Sequence, residues 1–491
     1  MTSARSLVYS LLHEWRCQIR NLWDRCRTSY HQERLFCNIL LAWLLFFSLV
    51  RTLQHFSFGT NAWDLSIFDY ALSGTVKGAV MAEPFHGSAW GSHLGVHFMP
   101  ILFLLLPLYL VFKGPLLLLY IQVLAVGGAS LPLYQIAKRR LQDHRTALAV
   151  AVSYLLFRPL LNGLMYDFHP EMFFPLLIFS SFYFIDSKRR PIFFIASILL
   201  ALAVKEDFAL YVFFYCLWLA RTKSQRKIAL GAALLSAIYI ALTFAFWIPY
   251  FRSQVQAPST YEFIDNWKDY GDSPAQITRN ALAHPGRVLR DVAPLSRSRH
   301  LLNYFLPLLF IPLLSPSIAL ILPPLAVGWL SRIPAMTSFG LHYGAALIPF
   351  VFLALIAGVY RLRVHGGKSR QWLVILLLAA GIANFKWNLV LPAQYRHIRD
   401  YPALRSCLRL VPAQASLAAQ SCLVPHVPKR REIVLLPAIG ASEYILFDPD
   451  LNPWPLSHAE LLALDDRLQH SPNYRLVCGT NSFRLYQKTG I

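Results

Sequence analysis

The stretch PLLLLYIQVLAVGGASLPLYQIA, Pro115–Ala137, runs for 23 residues without a charge and ends on Lys138-Arg139-Arg140. A bilayer core needs about 20 apolar residues in a helix, and in lipid the backbone must satisfy its own hydrogen bonds. The stretch therefore reads as a membrane span with its basic end on the cytoplasmic side. Composition extends the reading to the whole chain. Of 491 residues, 56% are hydrophobic and 14% charged, more apolar surface than soluble cores can hide. A formal charge of +21 then means cationic loops at a membrane surface, and nucleic-acid binding is set aside.

Working outward, spans thread through Leu35–Leu53, Pro115–Ala137, Ala147–Leu164, Met172–Ile185, Ile192–Val204, Phe208–Ala220, Ile228–Tyr250, Leu301–Leu314, Ile318–Leu330, His342–Tyr360 and Gln371–Asn388. The apolar segment Phe98–Phe112 carries Pro100 and Pro107 and is short for a span, so it reads as re-entrant or interfacial. With that assignment every basic loop falls on one side: Lys138–Arg145, Lys188–Arg190, Arg221–Lys227 and Arg361–Arg370. The expected architecture is an α-helical polytopic membrane protein of about 11 spans with a small C-terminal soluble α/β domain.

Three regions follow. Residues 1–34 form a basic amphipathic segment on the cytoplasmic surface of the plasma (inner) membrane, with Leu11, Trp15, Ile19 and Leu22 at helical spacing. Residues 35–390 form the membrane domain, with external loops 54–97 and 251–300. Residues 391–491 form an extracytoplasmic α/β domain, with strands at Ile433–Leu436, Tyr444–Phe447, Tyr474–Cys478 and Phe483–Tyr486, and a helix opened by a Ser457/Glu460 capping box. Of Cys407, Cys422 and Cys478 in that region, two can pair in an oxidising compartment. No CxxC or zinc-ligand cysteine spacing is present.

The threading gathers the remaining polar chemistry on the outer face, as a site working there requires. Asp64 and Asp69 are five apart in the first loop, and on a helix they would diverge by about 140°. Asp64 lies on the side of Ile67 and Phe68; the alternative is that it caps the helix. His93 and His97 are four apart, a metal-ligand spacing on a helix with Glu83 as a third group. Gly91 and Gly95 weaken that helix, and hydrogen bonding to backbone or headgroups is the preferred reading. Tyr166–Glu171 packs Asp167, His169 and Glu171 into one turn, a density of titratable groups that points to function. Lys205-Glu206-Asp207 interrupts an apolar stretch; pairing of the lysine with one carboxylate still leaves another for substrate. Arg332, His342, Tyr343 and Arg396 fall on the same side, and arginine suits phosphate because its planar donors take two oxygens at once.

The ordered set Asp64-Leu65-Ser66-Ile67-Phe68-Asp69, His97-Phe98-Met99-Pro100, Gln122, Phe168-His169-Pro170, Lys205-Glu206-Asp207 and His342-Tyr343 resembles a family of multi-pass bacterial and archaeal membrane proteins. That family is defined by a domain of unknown function and is placed near the GT-C glycosyltransferases; the resemblance runs from about Phe58 to the C-terminus. It implies a polyprenyl-phosphate-linked sugar donor and a catalytic acid in the first external loop, a role that falls on Asp64, with Asp69 as rival. Substrate contacts fall on His97, His169, Glu171, Lys205, Glu206, Asp207, Arg332, His342, Tyr343 and Arg396. The adjacent acidic pair of many GT-C members is absent, since Leu65 and Tyr70 follow the two aspartates, and so is a Trp-Trp-Asp acceptor motif. No cofactor is certain, and a divalent metal stays open. The expected activity is transfer of the sugar to an extracytoplasmic acceptor. The alternatives are a transporter or flippase, which a repeat with charges along a route would favour, and a membrane scaffold.

Overall fold

A computed structural model describes residues 33–86, 91–186, 191–257, 261–362, 367–479 and 482–490. The amphipathic segment expected over residues 1–34 lies almost wholly outside the described residues.

Three described helices are long and apolar enough to cross a membrane: Arg34–Phe56, Pro115–Leu141 and Arg226–Ser253, with mean hydropathy 1.9, 2.0 and 2.2. Two bent pairs raise this to five, His144–Leu155 with Arg158–Met165 at 40° and Pro334–Gly344 with Ile348–Arg361 at 73°. On the first helix Leu41, Leu45 and Leu49 recur every four residues and are exposed, a stripe that suits contact with lipid tails. Phe98–Phe112 forms a short helical segment over Pro100–Val111, in keeping with its length. The stretch Leu301–Leu314 departs from expectation: the helix stops after Leu302–Phe305, and Leu309 and Phe310 take left-handed φ of 54° and 57°. Pro307 and Pro312 lack the N–H that a continuous helix needs and bias the residues before them out of it. The loop 251–300 is not bare chain either, because Pro274–Ala283 and Pro285–Val292 are helical.

In the first loop β1 (Ala82–Glu83) pairs with β2 (Gly91–Ser92). The C-terminal residues carry β3 (Leu417–Ala419), β4 (Ile433–Leu435), β5 (Tyr444–Phe447), β6 (Tyr474–Cys478) and β7 (Arg484–Lys488), a five-stranded sheet in the order β4-β3-β5-β7-β6. β3 is parallel to β4 and β5, while β7 is antiparallel to β5 and β6. Side chains alternate across the sheet as strand geometry dictates. Ala418, Ile445, Phe447 and Tyr486 face the helix His458–Gln469, buried on Leu461, Leu464 and Leu468. The expected capping box opens that helix, Ser457 and Glu460 exchanging bonds.

The other sheet face buries Leu417, Ala419, Leu446 and Leu485 in one core with Leu404 and with Phe58, Ala62 and Tyr70 of the first loop. The two segments are also joined by polar contacts: Ala62 N donates to Ser421 O at 2.9 Å, Lys429 Nζ pairs with Asp69 Oδ2 at 2.6 Å, and Arg430 N donates to the Tyr70 hydroxyl at 3.3 Å. The C-terminal sheet is thus the bed on which the first loop lies.

A disulfide joins Cys407 to Cys478 across 71 residues, resolving which of the three cysteines pair; Cys422 is free and buried. Closing a loop of that length in the unfolded chain is worth roughly 4 kcal/mol. Cys407→Ser should therefore loosen the sheet region first, seen as faster limited proteolysis after residue 400 under non-reducing conditions. Cleavage unchanged from the parent protein would deny the bridge that role.

Candidate active site

Four segments distant in sequence converge around Asp64. The chain bends at Trp63, whose φ of −78° and ψ of 98° are non-helical, before the helix Ile67–Val76 begins. The bend turns Asp64 away from a capping role: the Asp64 Oδ2 carboxylate oxygen lies 3.4 Å from His169 Nε2. His169 precedes Pro170 and is accordingly extended, φ −142° and ψ 123°. Its backbone N–H donates to Gln122 Oε1 at 2.7 Å, and the Gln122 amide donates back to the carbonyls of Gly163, Leu164 and Asp167. A fully buried glutamine thus ties the His169 turn to the Pro115–Leu141 helix.

His342 stacks on His169 with ring centroids 3.6 Å apart and planes 15° from parallel, and Tyr166 stacks on His169 at 5.1 Å. Phe339 and Leu341, just before His342, hold left-handed φ of 50° and 52°, an uncommon cost for bulky residues that recurs at functional sites. Gly163 permits this approach: a Cβ there would meet Met172 Sδ at 2.6 Å and the Leu341 carbonyl oxygen at 3.2 Å.

Beyond His342, Glu171 Oε1 lies 3.8 Å from His342 Nε2 and 3.0 Å from Lys205 Nζ. Glu206 Oε1 meets His97 Nδ1 at 2.7 Å, Glu206 Oε2 accepts the Phe98 N–H at 2.9 Å, and the Tyr261 hydroxyl donates to Oε1 at 2.7 Å. Phe263 stacks flat on His97 at 4.6 Å. Asp207 accepts from Tyr211 at 2.8 Å. Tyr343 adjoins His342, ring to ring at 4.1 Å. The result is a cluster of carboxylates and imidazoles around one ammonium.

Other expected residues lie elsewhere. Asp69 is buried and committed to Lys429 and, at 2.5 Å, to the Tyr109 hydroxyl. Arg332 grips Asp269 at the surface through two nitrogens, and Arg396 Nε points to His397 Nε2 at 3.0 Å. Nor does His97 join His93 and Glu83 as the helical spacing suggested. Residues 93–95 form a single tight turn, and His97 turns to Glu206. Two surface cavities, about 190 Å³ beside Gln54, Lys386 and Tyr395 and about 670 Å³ on the sheet at Leu468–Tyr486, are not lined by the Asp64 group.

Electrostatics separates the carboxylates. Burial opposes the charge on Asp64, but the charge and hydrogen bond of His169 outweigh it and hold Asp64 down at about 2. Asp167 moves the other way: burial, relieved only in part by Arg51, pushes it up to about 7. Asp167 Oδ2 accepts from Asn61 N at 3.0 Å, while Oδ1 is buried without a partner. Asp167 was visible in sequence only as one of two carboxylates in a crowded turn, Gln122 only as a member of the ordered set, and Arg51 and Tyr261 as unremarked polar residues; their packing singles them out.

The Asp64–His169 pair makes a pH-dependent contribution. Burial pulls His169 down, but Asp64 more than compensates and raises it above 6.5. The depressed Asp64 stabilises the fold above its unfolded value of about 3.9 and loses that as pH falls towards 2. The raised His169 stabilises fully below about 6.5 and loses that as pH rises through its folded value. The melting-temperature gap between the parent protein and Asp64→Asn should thus be widest between about pH 4 and 6.5 and narrow on the alkaline side. A gap that does not vary with pH would mean the pair is not ionised.

A family model described as Predicted membrane protein (DUF2079) matches residues 54–483. The chain belongs to the DUF2079 family. Among solved structures, the DUF2079 chain is similar to ArnT from Cupriavidus metallidurans, crystallised bound to undecaprenyl phosphate: TM-score 0.50 and 13% identity over 93% of this chain and 98% of that one. The two chains therefore share a fold. No curated protein sequence matches this DUF2079 chain.

Proposed function

We propose that the protein is a membrane glycosyltransferase that passes a sugar from a polyprenyl-phosphate carrier to an extracytoplasmic acceptor, with Asp64 as the catalytic carboxylate. The observation that carries this reading is the convergence of Asp64, His169, His342, Glu171, Lys205, Glu206 and His97 from five separate segments. The fold adds support, since a protein of similar fold holds undecaprenyl phosphate.

Asp64 receives the proton of the acceptor hydroxyl. A carboxylate held near 2 is a weak base, so the proton moves late, as the attacking oxygen becomes acidic on bonding to the sugar. His169 keeps Asp64 ionised and aimed, and Lys205 is the cation placed to meet the departing phosphate. The geometry of one helix also fits a sided topology, with the site on the outer face. Gln122 ties one end of the Pro115–Leu141 helix to the site, while Arg140 pairs with Asp186 near the other, about 27 Å along the axis. The Lys138–Arg140 cluster and the site thus lie towards opposite ends of that helix.

The test is reconstitution in vesicles with a polyprenyl-phosphate sugar labelled in the sugar and a bacterial envelope extract as acceptor source. Label leaving the lipid fraction upholds the reading. Label that crosses the bilayer still attached to lipid overturns it in favour of transport.

A further inference from the structure

Beside the Asp64 group, in the same first loop, lies a cluster that the mechanism above does not use. Glu83 is almost fully buried in β1 (Ala82–Glu83), which pairs antiparallel with β2 (Gly91–Ser92). That two-stranded ribbon brings His93, just past β2, back against Glu83 and His86. Glu83 Oε2 accepts backbone N–H groups of Phe85 at 2.6 Å and His86 at 3.3 Å, which fixes the carboxylate and leaves Oε1 directed at the two histidines. His86 Nδ1 is 2.5 Å from that oxygen and His93 Nδ1 is 3.8 Å from it. One ligand atom from each of the three residues fits within 4.8 Å of the others.

The independent observation is His93. It is 2% exposed, yet both ring nitrogens are buried without a hydrogen-bond partner. Leaving a buried polar group unsatisfied costs about 1–3 kcal/mol, and a histidine with two such atoms calls for an explanation.

We propose that Glu83, His86 and His93 form a binding site for a divalent transition metal of the zinc class. Zinc takes imidazole nitrogen and carboxylate oxygen at about 2.0–2.2 Å, so ligand atoms on one tetrahedral edge lie about 3.4 Å apart. The Glu83–His93 separation is already close to that edge, and the Glu83–His86 pair need open by less than about 1 Å as the metal replaces the proton between them. Three protein ligands leave a fourth position open, the pattern of sites that bind water or substrate rather than purely structural ones. The site adjoins the reaction groups: the His93 ring is 6.0 Å from His97, and Trp63, next to Asp64, is 5.1 Å from His86. An anionic oxygen of the donor phosphate would suit the open position. Phosphate binding at that position rests on the glycosyltransferase reading, whereas metal binding does not.

The experiment uses the full-length protein in detergent, stripped with chelator and titrated with Zn²⁺ or Co²⁺ in the absence of any lipid or sugar. The expected result is one tightly held ion, a Co²⁺ visible spectrum of nitrogen and oxygen ligation, and a rise in melting temperature on Zn²⁺ addition. Since disturbing even an outer-shell partner weakens metal sites by about 10–100-fold, His93→Ala and Glu83→Gln should each weaken binding by more than about 100-fold. If a variant fails to fold, the spectrum and melting shift of the unaltered protein still decide. No retained ion, or binding indifferent to both substitutions, overturns the proposal. Metal bound without any transfer activity would leave the site standing and count against the glycosyltransferase reading alone.

Discussion

Asp64→Asn should lower sugar transfer by about 10²–10⁴-fold, the range that a positioned acid or base supplies, while the purified protein stays folded. Asparagine keeps the size of the side chain and a hydrogen bond towards His169 Nε2, but it cannot take a proton. The stacked pair of His169 and His342, Gln122 beneath it and the Glu171–Lys205 bond need not move. Transfer at the parental rate by well-folded Asp64→Asn would remove Asp64 from the chemistry. Asp69→Asn serves as the comparison. Asp69 holds Lys429 and Tyr109, so its loss should weaken the seat of the first loop and lower the melting temperature. If instead Asp69→Asn alone stopped transfer with stability intact, the base would be Asp69.

Lys205→Met carries the second large effect, and it falls on folding. Lys205 Nζ is 3.0 Å from Glu171 Oε1 and adjoins Glu206 and Asp207, all in a water-poor setting. Glu171 is held down at about 2: burial opposes its charge, and Lys205 and His169 more than offset that. Removing the ammonium takes away the main partner of a buried charge, a loss of about 3–5 kcal/mol. Folded yield and melting temperature should fall sharply, and Lys205→Met combined with Glu171→Gln should recover part of the loss because both charges are then gone. A single variant that melts with the parent would show that water already screens these carboxylates.

Much of this arrangement could be read from residue order, and the reasons for the gaps are physical. The uncharged run Pro115–Ala137 with its basic end was legible because lipid imposes a length and a composition; it lies within the helical span Pro115–Leu141. The run Leu301–Leu314 has the same composition, yet Pro307 and Pro312 break it, and hydropathy does not register a missing N–H. β3 escaped notice because Leu417, Ala418 and Ala419 are poor strand formers; its place between β4 and β5 makes it a strand. Asp64, His169 and Lys205 stood out as polar residues in apolar surroundings. Spacing was misleading at His93 and His97, which do share a neighbourhood, but through a turn that sends His97 to Glu206 and leaves His86 with Glu83. Asp167 depends on burial from every side, a property that no local pattern encodes.

The sheet that beds the first loop also dates the site. β7 leaves the ribosome long after Asp64, and its Leu485 shares a core with Phe58, Ala62 and Tyr70 on either side of Asp64. A nascent chain can therefore place its early helices in the bilayer well before the first loop has a sheet to lie on, and the surroundings of Asp64 are completed late in synthesis.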